Sequence, residues 1–251
     1  MESPRPSLAA SGYVLVPQFF DPVPLCAEFD TVMGDAFDDV GHVNSGSAGN
    51  RFRYVPVMNE RTPVSVDLTL RLAELASELL GSQVLPGRAK ATTYFGATNW
   101  HRDSGGLARS IGMVCYLDPL DASTGALTVV PGSFTLDADP ALQGVAIPTI
   151  GGDVIVFDEH LLHGATGGGE RRQWRADFVA DTGDDAVLRA YFSSQFSPGW
   201  DGGYNVDRYP SYGAHWRTLN QRWTHRLEAL GAFQAAAAEE EAVRTMRSTN
   251  G

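Results

Sequence analysis

The stretch Ala89-Lys90-Ala91-Thr92-Thr93-Tyr94-Phe95-Gly96-Ala97-Thr98-Asn99-Trp100-His101-Arg102-Asp103 decides how this chain is read. Its first seven residues read as a strand that leads into the triplet His101-Arg102-Asp103. On an extended strand residues i and i+2 point to the same side, so His101 and Asp103 are spaced to grip one ion. A second apolar run, Gly152-Asp153-Val154-Ile155-Val156-Phe157, leads toward His163-Gly164, and His163 closes the face from another strand. Two imidazoles and one carboxylate at strand ends are a metal-binding set. Arranged on one face of an ion, such a set leaves three positions open, the pattern of non-haem iron(II) oxygenases. Asp103 occupies the position a halide would need, so hydroxylation or desaturation is expected rather than halogenation. His160 competes with His163, because a helical turn would put both on one face, but Gly164 supplies the tight backbone a metal site often wants. His42, His215 and His225 lie in polar or helical surroundings and read as surface or core-edge residues.

The chain has 251 residues, with 19 basic against 30 acidic side chains, a formal net charge of −11. That length suits one domain over 1–251 and a substantial core. The negative charge argues against nucleic acid or an anionic membrane as partner. Cys26 and Cys115 are too few for a disulfide scaffold and read as reduced thiols. Met1 to Pro6 lacks a signal pattern, and no apolar run approaches the ~20 residues of a membrane span. A cytoplasmic protein is expected.

The first eleven residues read as a disordered lead, and Gly12-Tyr13-Val14-Leu15-Val16-Pro17 as a short strand ended by proline. Asp21-Pro22 opens a helix with Leu25, Phe29, Val32 and Met33 on one face. Residues 41–50 form a loop, Phe52 to Val57 a strand, and Thr62-Pro63 starts a second helix that Gly81 stops. From Gln83 to about Phe196 the pattern is short β-rich runs split by Gly, Pro and Asp, the rhythm of a sandwich or jelly roll. The segment 215–246 reads as a C-terminal helix whose Ala235 to Glu241 portion is a solvated end. The fold class is therefore mainly β with flanking helices, a jelly-roll core holding a metal between strand ends.

With these motifs together, the chain resembles the phytanoyl-CoA dioxygenase-like branch of the iron(II)/2-oxoglutarate-dependent oxygenases. The resemblance rests on Gly12 to Pro17, Trp100-His101-Arg102-Asp103, Gly125-Ala126-Leu127-Thr128-Val129-Val130-Pro131-Gly132-Ser133, Gly152-Asp153 through His163-Gly164, and Arg175. Phe134 departs from the histidine common after the Pro-Gly-Ser turn, a position that is not a metal ligand. The resemblance implies a double-stranded β-helix (cupin-like) core, with His101, Asp103 and His163 binding Fe(II) and 2-oxoglutarate chelating two open positions. It implies O2 as third reactant, Arg175 on the distal carboxylate, and release of succinate and CO2 as a substrate carbon is hydroxylated. A planar, permanently charged guanidinium suits that carboxylate. Arg171 and Arg172 are alternatives that read better as solvated loop charges, and Thr92, Thr128 and Thr166 are further candidates for the co-substrate.

Arg51, Arg53, Arg88, Lys90, Arg102 and Arg109 bring positive charge near the expected site, which suggests a small anionic metabolite as substrate. Equally, they read as ordinary surface charges. The aromatic, glycine-rich segment Trp200 to Gly213 reads as a lid whose Tyr204 and Tyr209 enclose substrate, or as a packed coil over the barrel mouth. Few lysines and many Ala, Gly and Asp residues make tailoring of a natural-product intermediate the expected setting. Two other classes fit the same residues: a zinc hydrolase or lyase, and a non-catalytic relative that binds a small ligand.

Overall fold

The computed structural model describes residues 5–37, 44–45, 51–106, 108–134, 144–196 and 203–249. Its strands are β1 (Tyr13–Val16), β2 (Asn44–Ser45), β3 (Arg51–Pro56), β4 (Val84–Phe95), β5 (Thr98–His101) and β6 (Ser110–Tyr116). They continue with β7 (Thr128–Val129), β8 (Val145–Ala146), β9 (Val154–Asp158), β10 (His163–Ala165) and β11 (Glu170–Ala180). The order β1-β9-β6-β11-β4-β3-β2 makes a seven-stranded sheet and β5-β10-β7-β8 a four-stranded one, all pairings antiparallel. Val114, Ile155 and Phe157 of the large sheet pack with Leu127, Val129 and Leu161 from the small-sheet side, so the sheets enclose a common interior. This is the expected jelly-roll core.

The helices are α1 (Arg5–Ser11), α2 (Pro22–Asp35), α3 (Pro63–Leu80), α4 (Asp185–Gln195), α5 (Ala214–Leu219), α6 (Gln221–Leu230) and α7 (Ala232–Thr249). Asp21 caps α2 by accepting from the Val23 N–H at 3.0 Å. Gly81 ends α3 in the left-handed region (φ 65), which glycine enters without a Cβ penalty. Leu25, Phe29 and Val32 of α2 and Leu68 and Leu72 of α3 share one apolar core with Ala91, Trp174, Ala176 and Phe178. The Trp174 indole N–H donates to Ser65 Oγ of α3 at 2.9 Å. Strand alternation then turns Arg171, Gln173, Arg175 and Asp177 toward the interior. A double-sided burden of this kind explains why β11 is buried on nearly every residue and shows no simple apolar alternation.

Several expectations are corrected. Residues 5–11 are helical rather than disordered, because Leu8 is buried against the core; the first four residues lie outside the described ones. Within the supposed β-rich region stands α4, capped by Asp184, whose side chain accepts from the N–H groups of Ala186 and Val187. The C-terminal segment is three helices, and its Ala235 to Glu241 portion is no solvated end: Ala236 and Glu239 are buried. Glu239 reaches Arg88 of β4 at 2.8 Å, which ties α7 to the barrel. Of the supposed loop 41–50 only Asn44–Ser45 is described, and it pairs with β3. Of the supposed lid, 203–213 is a packed coil with Tyr204, Val206, Tyr209 and Tyr212 buried; Trp200 to Gly202 lie outside the described residues. Cys26 and Cys115 are free thiols. No helix is long and apolar enough to cross a membrane among the described residues.

Candidate metal centre

Antiparallel pairing places His163 of β10 directly across from His101 of β5, with ring centroids 4.3 Å apart. Asp103 lies two residues beyond the end of β5, in a bend rather than on the strand. The bend is pinned by the N–H groups of Asp103 and Ser104, which donate to the Glu159 carbonyl at 2.9 and 3.1 Å. Asp103 Oδ1 stands 3.4 Å from His101 Nε2, and Oδ2 stands 3.2 Å from His163 Nε2. Neighbouring ligands at about 2.1 Å from an ion lie about 3 Å apart, so the set fits one metal. Each Nδ1 faces a backbone carbonyl two residues earlier, Asn99 O at 2.7 Å for His101 and Leu161 O at 2.9 Å for His163. Donation to those carbonyls leaves both Nε2 lone pairs free for the ion. His160 is no competitor: its Nδ1 faces Ser104 O and its ring packs on Gly106.

Buried charges surround the candidate carboxylate ligand. Arg175 Nη1 donates to Asp103 Oδ2 at 2.7 Å, Nη2 to Glu159 at 3.1 Å and Nε to Asp177 at 2.5 Å. Burial works against the Asp103 carboxylate, but the charge of Arg175 outweighs it and holds its carboxyl well below the usual range. Glu159, fully buried, is pushed up to about 8 by burial and by the charge of Asp177.

The triad opens on a pocket of about 210 Å³. Phe52, Tyr94, Tyr116 and Phe157 give it an aromatic wall, Trp100 stands 43% exposed and also lines it, and Lys90, Arg171 and Arg175 bring positive charge. Arg171, expected as a solvated loop charge, is 1% exposed. Its Nη1 donates to Gly96 O at 2.7 Å, its guanidinium lies over Tyr94, and its Nε has no partner. Gly125 makes this possible: a Cβ there, at φ +98, would meet Arg171 Nη1 at 2.7 Å.

The other candidates are scattered. Arg51 and Arg53 are not among the pocket residues; they occupy the opposite face of β3 from Phe52, and Arg53 lies over Phe37 and Phe95. Arg102 lines the pocket but donates to the carbonyls of His160 and Ser133, so its charge holds backbone. Tyr204 and Tyr209 are core residues, the first packed on Tyr54 and the second bonded to Asp35. Thr166 is exposed, Thr128 donates to Ala126 O two residues earlier, and buried Thr92 has an unpartnered hydroxyl outside the pocket lining. Arg172 is an outer ion-pair residue with Asp30 and Asp118. Glu159 and Asp177 were missed, although the alternation of Arg171, Gln173, Arg175 and Asp177 around the outward Trp174 was a usable signal.

This fold and donor set define a cupin-like metalloenzyme. A model of the family phytanoyl-CoA dioxygenase matches residues 9–173, and the chain belongs to that family. It is accordingly a 2-oxoglutarate-dependent enzyme that uses Fe(II) and O2. Among solved structures, the non-heme alpha-ketoglutarate-dependent epimerase SnoN from nogalamycin biosynthesis matches with TM-score 0.59 and 19% identity, over 70% of this chain and 79% of its own. EctD from S. alaskensis, with 2-oxoglutarate and 5-hydroxyectoine, matches with TM-score 0.58 and 23% identity over 70% and 74%. HygX from Streptomyces hygroscopicus, with nickel, 2-oxoglutarate and hygromycin B bound, matches with TM-score 0.57 and 15% identity over 72% and 88%. At these identities the likeness is one of fold. No curated protein matches the chain.

Proposed function

We infer that the protein hydroxylates an unactivated carbon of a small metabolite, with His101, Asp103 and His163 as its iron ligands. The observation that carries this reading is the facial His-Asp-His set opening on a pocket that also presents a buried, incompletely paired arginine. When bound, iron with 2-oxoglutarate and O2 supplies the oxidising equivalents: one oxygen atom goes to succinate as CO2 leaves, the other to the substrate C–H.

The chain's own residues divide the remaining work. Arg175 is committed to three carboxylates, one of them a metal ligand, and is a positioning residue for Asp103. Arg171, four residues earlier on the same face of β11, is free to grip the distal carboxylate of 2-oxoglutarate. This revises the expected role of Arg175. The aromatic wall excludes water and seats the substrate between Trp100 and the triad.

Anaerobic titration of metal-free protein with Fe(II) and 2-oxoglutarate tests both points. Wild type is expected to show the weak visible charge-transfer band, Asp103→Ala to lose it, and Arg171→Ala to need at least tenfold more 2-oxoglutarate. Arg175→Ala is expected to weaken iron binding first. A band that depends on Arg175 but not on Arg171 would restore the original assignment, and no band in wild type would remove the oxygenase reading. With a turned-over substrate, succinate and a product heavier by one oxygen are expected.

A further inference from the structure

Lys90 is the one lysine in this sequence, against eighteen arginines. Every other basic side chain is a guanidinium, yet the amine stands on β4 directly across from Arg175 and lines the metal pocket. Arg175 has its charge met by Asp103, Glu159 and Asp177. Lys90 makes no hydrogen bond or ion pair among the described residues. An unpaired, half-buried ammonium has lost part of its hydration with nothing in its place, a cost that a ligand would offset.

On the reading above, 2-oxoglutarate brings two carboxylates, one beside the iron and one for Arg171, which leaves the Lys90 ammonium unanswered. We propose that Lys90 binds an oxyanion of the second substrate, a carboxylate or phosphate group, and thereby selects an anionic metabolite. This rests on the oxygenase reading. A compact ammonium suits the place, because it meets one oxyanion as a point charge, whereas a planar fork there would crowd the guanidinium of Arg175. Burial and the charge of Arg175 push the amine down to about 8, which also makes it reactive toward acylating reagents near neutral pH.

Having a single lysine makes the test clean, since amine acylation followed by mass spectrometry reads one side chain besides the N-terminus. Protein loaded anaerobically with Fe(II) and 2-oxoglutarate is acylated in the presence of propionate, methyl phosphate or neutral propionamide. Expected is at least fivefold slower labelling of Lys90 with one or both anions and no slowing with propionamide; the anion that protects names the group. Lys90→Met and Lys90→Arg are expected to keep the 2-oxoglutarate midpoint of the charge-transfer band within twofold, and both lose the label. Full protection by 2-oxoglutarate alone, with a tenfold higher midpoint in Lys90→Met, would overturn the proposal by assigning Lys90 to the co-substrate. Equal labelling under all conditions would overturn it outright. Absence of the band in wild type would strike the oxygenase reading instead, and protection of the metal-free protein would then decide Lys90 separately.

Discussion

A half-buried amine without a counter-ion lowers the stability of the fold that holds it, and Lys90 therefore carries a measurable signature. Its folded value of about 8 lies below the ordinary 10.5, so between those values the folded protein holds fewer protons than the unfolded chain. Stability then rises as pH climbs through that window, and the cost of the charge is full below about pH 8. Lys90→Met is expected to be more stable than wild type at pH 7, with the gain fading by pH 10; denaturant titrations at both values check it. Equal stability at both would show that the amine is compensated in the free protein. Gly125 gives a second residue-scale expectation. Gly125→Ala drives a methyl into the Arg171 guanidinium and should raise the 2-oxoglutarate half-saturation severalfold with iron binding intact, read from the same anaerobic titration. The candidate donor set His101, Asp103 and His163 was legible residue by residue, since such a set is a matter of side-chain type and spacing. Arg171 was not, because a charge beside three glycines looks solvated until the strand that buries it is paired.

At the scale of elements, one buried ion pair joins α7 to the barrel beside the core contacts of Phe233, Ala236 and Val243. Arg88 and Glu239 are 6% and 1% exposed, and Tyr54 adds a hydroxyl to the same carboxylate. Glu239→Ala leaves the buried guanidinium without its counter-ion and should cost about 3–5 kcal/mol. Asp207→Ala, which breaks the exposed pair with Arg244, should cost under about 1 kcal/mol. Equilibrium unfolding of both variants decides it; similar small losses would mean that α7 is held by its apolar face alone. Helix starts marked by Asp21-Pro22 and Thr62-Pro63 were legible because local chemistry makes them, and the Gly81 stop for the same reason. The break of the C-terminal segment into α5, α6 and α7, and the insertion of α4, were hidden: an apolar stripe shows that a helix packs but not where the chain turns.

For the whole molecule, ligands that bind only the folded state should stabilise it in two separable steps. Saturation at about one hundred times the dissociation constant is worth about 2.7 kcal/mol per ligand. At this chain length each step should raise the melting temperature by about 5–10 °C. Fe(II) alone gives the first under anaerobic conditions and 2-oxoglutarate the second; Arg171→Ala should keep the first and lose most of the second, and calorimetry reads both. A 2-oxoglutarate step that persists without metal would contradict chelation at the triad. By itself the sequence determined the fold class and the family and singled out His101, Asp103 and His163 as a candidate ligand set, because strand rhythm, donor type and spacing are local properties. Only the tertiary structure decided which charges meet there. Sheet register sets Lys90 against Arg175, and the packing of Trp174 on α3 turns Arg171 inward. Strand alternation turns Arg51 and Arg53 to the opposite face of β3, and core packing takes Tyr204 and Tyr209 from the site. Such relations depend on contacts between residues far apart in the chain, which no local pattern encodes.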